Sequence, residues 1–301
     1  MTVPQYLVRG DTIAICCPAG YMAAEKVTNC ITTLRQEGYH VIVGENIGSS
    51  SNNYFSGTDE ERINELQRFL DDKNIDAILC ARGGYGISRI IDKLCFKKFV
   101  KQPKWIIGFS DVTVLHTYLF SNFKTVSLHA SMAAAFNGAE ENTNIKTMLA
   151  ALLGKKAEYD VEANILNKVG TAKGKLIGGN LTLFTNGIGT SSDVKTNNCI
   201  LFLEDLDEQL YHIDRMFVQL KRGGKLAKLS GLIIGGFTDL KDTERPFGKN
   251  IYDIVLEQVA EYKYPVCFDF PVSHGENNLA LKHGMKHQLS VDDSGVMLKE
   301  I

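Results

Sequence analysis

The sequence predicts an α/β protein with two domains, an N-terminal α/β sandwich around a parallel sheet and a C-terminal domain of mixed α/β structure. Its 301 residues exceed what one hydrophobic core usually supports. The first half repeats a short apolar run, a turn and a helical stretch, an order typical of parallel strands covered by helices. A polar stretch at 154–173 then separates the halves. We therefore expect domains at residues 1–155 and 156–301.

The predicted strands of the first half are apolar almost throughout, as strands buried on both faces are. They cover residues 12–17, 40–43, 77–81 and 105–108. Apolar residues at helical spacing predict the intervening helices at 23–37, 59–70, 87–94 and 112–123. A capping box beginning at Thr58 marks the start of the second of these helices.

The second half is predicted to mix strands with helices. The strands are expected at 199–203, 231–234 and 266–268, and the helices at 210–220 and 251–262. Turn-forming residues at 292–295 predict a hairpin over 287–299. His283 and His287 are four apart, but Gly284 lies between them and no nearby carboxylate completes a metal site, so we expect a surface pair and no metal.

Composition excludes several classes of function. The net charge of -2 comes with no clustered basic excess, so we expect no binding to nucleic acid or to an anionic membrane. No apolar run approaches the roughly 20 residues that a membrane span needs, and the first residues do not form a signal peptide. The seven cysteines include no C-x-x-C pair, as in proteins with reduced thiols. We therefore expect a cytoplasmic protein.

The first candidate site is Ser110, where the predicted strand ending at Gly108 turns directly into a helix. A serine in such a turn stands clear of the sheet, and the first N–H groups of the helix can face an oxyanion. The pattern is half of a G-x-S-x-G elbow, because residue 112 is valine. Local pattern leaves two interpretations open, a nucleophile or a helix cap.

The second candidate site is the glycine turn Arg82-Gly83-Gly84-Tyr85-Gly86, which also follows a predicted strand. It is not a dinucleotide fingerprint, because the third glycine of that motif would fall at Arg89. The glycines let the backbone approach a substrate and offer a second N–H donor. A plain tight turn is the alternative. No phosphate-binding motif is present, which argues against a nucleotide-dependent enzyme.

The third candidate site combines Glu204, after an apolar strand, with His274, in a loop of small and polar residues. A serine hydroxyl is a weak nucleophile unless a base takes its proton, and the base needs an acceptor that fixes its tautomer. Ser110, His274 and Glu204 could supply these roles. Asp205 and Glu208 remain alternatives for the acid, and His274 could simply stabilise its loop.

Several segments together resemble the LD-carboxypeptidase family, peptidase family S66. These segments lie in the same order along nearly the whole chain, at 8–13, 81–86, 108–113, 178–181, 203–215 and 273–275. The family includes muramoyltetrapeptide carboxypeptidases and microcin-immunity hydrolases. The resemblance implies an N-terminal α/β sandwich that carries the serine and a C-terminal domain that carries the glutamate and the histidine.

The resemblance also implies roles for individual residues. Ser110 would be the nucleophile, Glu204 the triad acid and His274 the general base, while the backbone N–H groups of Gly84 and Asp111 would form the oxyanion hole. The implied reaction removes the terminal D-alanine from the L,D bond of a muropeptide during cytosolic recycling, with no metal or nucleotide, in a homodimer. Alternatives are hydrolysis of a peptide–nucleotide antibiotic conjugate and non-catalytic muropeptide binding.

A free carboxylate on such a substrate needs a cationic or N–H-rich partner. Arg82, beside the glycine turn, is the nearest candidate in sequence. The alternative is a structural arginine paired with a nearby acid.

Overall fold

A computed structural model describes residues 1–50, 53–136 and 142–301 and divides the chain into two compact units. The first unit comprises Met1–Lys155 and Leu279–Lys282, and the second comprises Lys156–Asn278 and His283–Ile301. The sequence predicted a single division after residue 155. The structure also assigns Leu279–Lys282 to the first unit, because the strand that begins at Leu281 joins the sheet of that unit.

The described residues form thirteen strands and nine α-helices, together with short 3-10 turns. The strands are β1 (Thr12–Cys16), β2 (His40–Val43), β3 (Ala77–Cys80), β4 (Trp105–Gly108), β5 (Ser127–His129), β6 (Glu158–Glu162), β7 (Gly170–Asn180), β8 (Cys199–Leu206), β9 (Gly231–Thr238), β10 (Val266–Cys267), β11 (Leu281–His283), β12 (Lys286–Val291) and β13 (Gly295–Glu300). The helices are α1 (Thr28–Gln36), α2 (Asp59–Asp71), α3 (Ile87–Ile90), α4 (Lys97–Lys101), α5 (Thr113–Phe123), α6 (Thr143–Leu152), α7 (Leu181–Asn186), α8 (Leu210–Arg222) and α9 (Ile251–Val259).

The first unit is built on a six-stranded sheet in the order β11-β5-β4-β3-β1-β2. Its strands β1 to β5 pair in parallel, which confirms the predicted α/β fold. Strands β1, β3 and β4 are buried almost throughout, as their apolar sequences predict. The same expectation is wrong for β2, which lies at the edge of the sheet and is largely exposed. Parallel order places the carboxyl ends of β3 and β4 side by side, so the glycine turn and Ser110 both follow neighbouring strands.

The helices of the first unit largely begin where the sequence indicates. Thr58 caps α2 through the predicted box, because its Oγ1 accepts from Glu61 N at 3.2 Å and Glu61 Oε2 accepts from Thr58 N at 2.7 Å. Two predicted helices are divided. The stretch at 23–37 begins with a 3-10 turn, Ala24–Val27, which precedes α1. In the stretch at 87–94, α3 is followed by a 3-10 turn at Ile91–Lys93.

The second unit is built on a seven-stranded mixed sheet in the order β10-β9-β8-β7-β12-β13-β6. Strands β7 to β10 pair in parallel, and β12, β13 and β6 continue the sheet in antiparallel order. The predicted hairpin is confirmed as β12 and β13. The stretch at 154–173, predicted as a polar boundary, instead contains β6 and the start of β7. The strand β6 alternates exposed with half-buried residues, a pattern suited to a sheet edge.

The expectation that His283 and His287 form a surface pair is wrong. Both side chains are fully buried in β11 and β12. Nδ1 of His287 lies 3.1 Å from the carbonyl oxygen of Met285, and the His283 ring meets Phe202 edge to face. The alternation of β12 places His287 on the inner face of the sheet. None of the described helices is long and apolar enough to cross a membrane.

Candidate active site

Ser110 lies in a strained turn between β4 and α5. Its φ is 61°, in the left-handed region that costs an L-residue about 1 kcal/mol or more. The turn continues as a 3-10 helix, Ser110–Val112, and then α5. The N-cap positions of these two helices are Phe109 and Val112, neither with a side-chain capping bond, so Ser110 does not fill the predicted cap position. Ser110 thus stands in a sharp strand-to-helix turn, the kind of turn that carries the nucleophile in α/β-hydrolases.

The glycine turn after β3 packs directly against Ser110. A Cβ added to Gly83 would lie 2.9 Å from Ser110 Cβ, 3.0 Å from its Oγ and 3.4 Å from the backbone nitrogen of Asp111. Gly84, whose N–H the family resemblance implies as an oxyanion donor, has a φ of 96° and faces the Tyr54 hydroxyl. Only glycine permits this approach at residue 83, so the turn is more than a plain reversal of the chain.

His116 supports the same turn from α5. Its Nε2 lies 2.8 Å from the carbonyl oxygen of Gly108, and its Nδ1 lies 2.7 Å from Ser127 Oγ. A carbonyl oxygen only accepts, so Nε2 carries the hydrogen and Nδ1 accepts from the serine. Burial lowers the pKa of His116 to about 4. The histidine is therefore neutral and holds the last residue of β4, a role that local sequence could not assign.

Asp111 turns its side chain inward. Its Oδ2 accepts from the backbone N–H of Ile87 at 2.8 Å, and burial raises the pKa of the carboxyl to about 7. Arg82, predicted to bind a substrate carboxylate, donates from Nη1 to the carbonyl oxygen of Tyr21 at 2.9 Å and remains exposed. Arg82 thus bonds to a backbone oxygen and not to the acid expected of a structural arginine.

In the second unit, Glu204 and His274 form a hydrogen-bonded pair. Oε2 of Glu204 lies 2.6 Å from Nδ1 of His274. The glutamate is fully buried near the carboxyl end of β8, and 12% of the His274 side chain is exposed. Burial raises the pKa of Glu204, and the bond to His274 opposes that rise. With Nδ1–H donated to the carboxylate, Nε2 is the nitrogen suited to take up a proton.

The two alternative acids are engaged elsewhere. Asp205 accepts from Asn180 Nδ2 at 2.7 Å and from the backbone N–H of Thr182 at 2.9 Å. Oε2 of Glu208 lies 2.9 Å from Nδ1 of His212. Glu204 is therefore the carboxylate that meets His274. Asn180 and Thr182 could not be assigned from the sequence, although residues 178–181 contribute to the family resemblance, because no local pattern relates them to Asp205.

The loop that carries His274 is held by its own polar groups. Ser273 Oγ donates to the carbonyl oxygen of Asn277 at 2.9 Å and accepts from the N–H of Gly275 at 3.0 Å. These bonds fold the loop on both sides of the histidine. Within residues 1–50, 53–136 and 142–301, no three His, Cys, Asp or Glu side chains are grouped so that they could hold a metal ion.

Comparison with curated proteins finds relatives along the whole chain. A probable murein peptide carboxypeptidase of Bacillus subtilis is 30% identical over 300 residues, which cover 98% of this chain and 94% of the relative. The murein tetrapeptide carboxypeptidase of Pseudomonas aeruginosa is 27% identical, with 90% of this chain and 91% of the relative covered. The microcin C7 self-immunity protein MccF of Escherichia coli is 24% identical, with 98% and 94% covered.

Solved structures and family profiles agree with these relatives. The muramoyltetrapeptide carboxypeptidase of Oxalobacter formigenes superposes with a TM-score of 0.86 at 25% identity, covering 96% of this chain and 98% of the other. Residues 13–130 match the N-terminal domain of LD-carboxypeptidases, and residues 173–289 match their C-terminal domain. The resemblance is confirmed: the chain belongs to the LD-carboxypeptidase family, peptidase family S66, and is a peptidase by descent.

Proposed function

We propose that the protein is a serine carboxypeptidase that hydrolyses the L,D-peptide bond before a terminal D-alanine of a muropeptide, in cytosolic recycling of cell-wall peptides. The names of the Bacillus and Pseudomonas relatives support a murein-derived substrate. The proposed nucleophile, base and acid are Ser110, His274 and Glu204. Gly84 and Asp111 are the proposed oxyanion donors through their backbone N–H groups.

The observation that carries this proposal is the bond between Glu204 and His274. A general base for a serine hydroxyl needs its second nitrogen fixed by an acceptor that also stabilises the imidazolium. The 2.6 Å contact with a buried carboxylate supplies that acceptor. The left-handed backbone of Ser110 supports the nucleophile, because an energetic cost of this kind is characteristic of functional turns.

The proposed reaction is acyl transfer through a covalent intermediate. Nε2 of His274 takes the hydroxyl proton of Ser110 as Oγ attacks the carbonyl carbon of the L,D bond. The oxyanion is stabilised by the two backbone donors, and His274 then gives its proton to the amine of the departing D-alanine. Water then attacks the acyl carbon as His274 takes one of its protons. His274 returns that proton to Oγ as the ester bond breaks, which releases the shortened peptide and restores Ser110.

Arg82 is the proposed partner of the substrate's terminal carboxylate. A guanidinium has five N–H donors, and the bond to Tyr21 uses Nη1. The side chain is exposed and adjoins Gly83, which packs on Ser110. Its replacement by methionine should raise KM for a peptide with a free C-terminus more than KM for the corresponding amide.

The deciding experiment compares wild type with Ser110→Ala on an L,D-linked tetrapeptide and its D,D isomer. We expect wild type to release D-alanine from the L,D peptide alone and Ser110→Ala to lose that activity. Ser121→Ala, a serine replacement on α5, is the matched control and should keep it. Release by Ser110→Ala at the wild-type rate, or fluorophosphonate labelling of another serine, would refute the nucleophile assignment.

The similarity to MccF supports a second candidate function, the hydrolysis of a peptide–nucleotide antibiotic conjugate. A conjugate of this class belongs in the same assay as a third substrate. A kcat/KM for it that exceeds the value for the L,D tetrapeptide would favour the second candidate. Binding of a muropeptide without turnover by wild type would favour a non-catalytic protein.

A further inference from the structure

One peptide unit at the end of the glycine turn is bound on both sides by buried ionisable side chains. Nη1 of Arg62 donates to the carbonyl oxygen of Gly86 at 3.1 Å. Oδ2 of Asp111 accepts from the N–H of Ile87 at 2.8 Å. The carbonyl of Gly86 and the N–H of Ile87 belong to the same peptide bond, so its plane is fixed from opposite directions.

The two side chains that bind this peptide are fully buried. Burial of an ionisable side chain costs free energy unless hydrogen bonds compensate it, and both of these side chains have such bonds. Arg62 has further contacts: Nη1 donates to the carbonyl oxygen of Pro18 at 2.7 Å, Nη2 pairs with Asp59, and the guanidinium stacks on Phe55 at 4.7 Å. From α2, this arginine therefore joins the loops that follow β1 and β3.

The same peptide is coupled to Ser110 through the chain. Asp111 is the residue after Ser110, so the carboxyl that holds Ile87 is part of the nucleophile turn. At the other end of the glycine turn, the carbonyl of Gly83 accepts from Gly20 N at 3.1 Å, and Gly83 packs on Ser110. The glycine turn is thus fixed at both of its ends.

We propose that the side chains of Arg62 and Asp111 are positioning residues that hold the Gly83–Gly86 turn, with its oxyanion donor, against Ser110. This inference rests on the proposed function and deepens it. An oxyanion donor acts only when its N–H is aimed at the developing charge, and a displacement of about 1 Å can cost up to about 100-fold in rate. The Asp111 carboxyl accepts from Ile87 in either protonation state, because its carbonyl oxygen remains an acceptor.

The test uses the full chain and two readouts. Arg62→Met and Asp111→Leu remove one bond each from the peptide, and we expect kcat to fall about 10- to 100-fold with KM within about 3-fold of wild type. The rate of Ser110 labelling by a fluorophosphonate should fall in parallel, while its final amplitude counts folded sites. Asp111→Asn keeps an acceptor oxygen and should recover most of the loss seen with leucine.

Lys104→Met is the matched control, because Lys104 is also a buried cation of the first unit. Its Nζ donates to the carbonyl oxygens of Phe69 at 3.0 Å and Asp72 at 2.5 Å, at the far end of α2 from Arg62. We expect it to lower the melting temperature and to leave kcat per folded site unchanged. If Arg62→Met lowers the final amplitude through misfolding, Arg62→Lys, which keeps one donor, gives an intermediate rate.

The double variant Arg62→Met/Asp111→Leu shows whether the two side chains act together through the Gly86–Ile87 peptide or independently of each other. Residues that act through one peptide should be non-additive, with a loss close to that of the worse single variant. A loss equal to the product of the two, or wild-type labelling rates in both single variants, would overturn the inference. Absence of labelling at Ser110 in wild type would instead refute the proposed function.

Discussion

Nδ1 of His274 lies 2.6 Å from Oε2 of Glu204, and the glutamate is fully buried on β8. The contact distinguishes Glu204 from its neighbours Asp205 and Glu208, which bond to Asn180, Thr182 and His212 instead. The sequence left the three acids equivalent, because all follow the strand predicted at 199–203, whereas the structure extends that strand to Leu206.

Glu204→Gln should lower kcat about 10³- to 10⁴-fold, as loss of the acid does in other serine triads. The amide removes the negative charge that stabilises the imidazolium and can donate to Nδ1, which favours the wrong tautomer. Release of D-alanine measures the effect. Glu300→Gln changes another buried glutamate of the second unit and serves as control. A Glu204→Gln enzyme within 10-fold of wild type would exclude Glu204 as the acid.

Gly83→Ala should abolish most activity while the first unit still folds. The new Cβ would lie 2.9 Å from Ser110 Cβ and 3.0 Å from Oγ, so the serine or the glycine turn must move. A shift of that size predicts a loss of about 100-fold in kcat/KM. Gly187→Ala is the control, since its nearest neighbour would be 3.4 Å away and its φ is −70°. Equal activities of the two variants would contradict the close packing at Ser110.

Much of the fold follows from short-range pattern. The buried strands of the parallel sheet read as apolar runs, and the Thr58 capping box sets the start of α2. The strands β6 and β7 were missed because they are polar at alternate positions and begin inside a lysine-rich stretch. Their structure depends on partners far along the chain, β12 and β13, which no local window contains.

Some residues of the candidate site could likewise be predicted from the sequence, and others could not. Ser110, Glu204 and His274 could be singled out because each follows a strand or lies in a polar loop. Arg62 could not, because its contact with Gly86 joins residues 24 apart and an arginine inside a helix is ordinarily a surface residue. Long-range polar contacts of this kind leave no periodicity in the sequence.

Asp111 should make the stability of the first unit depend on pH. Burial raises its pKa from 3.8 to about 7, against the favourable charge of Arg62. Between these values the folded state holds the proton and the unfolded state does not, so this contribution is complete below pH 3.8 and is lost as pH rises through about 7. Relative to Asp111→Asn, wild type should lose about 4 kcal/mol of unfolding free energy across that range.

Urea unfolding followed by fluorescence of Trp105, the one tryptophan of the chain, measures this difference in the first unit. The amide cannot ionise, so groups common to both proteins cancel in the comparison. A difference that stays constant from pH 4 to pH 8 would show that Asp111 has an ordinary pKa.

His116 should make the stability of the first unit change with pH in the opposite direction. Burial lowers its pKa from 6.5 to about 4. Between these two pH values the unfolded state binds a proton at His116 and the folded state does not. The contribution of the neutral histidine is therefore complete above pH 6.5 and is lost as pH falls toward 4, by about 3 kcal/mol. Compared with His116→Gln, wild type should lose stability on acidification in the same Trp105 assay.

Asp111 and His116 contribute opposite pH dependences to the stability of the first unit, and these largely offset each other between pH 4 and pH 6.5. Proton binding to Asp111 favours the folded state, whereas proton binding to His116 favours the unfolded state. Both side chains are buried: Asp111 directly follows Ser110, and His116 bonds the carbonyl oxygen of Gly108, two residues before Ser110. Wild type should therefore show a flatter pH profile than either Asp111→Asn or His116→Gln, whose profiles tilt in opposite directions. Tilts of the same sign would contradict at least one of the two pKa shifts, and the double variant would identify which.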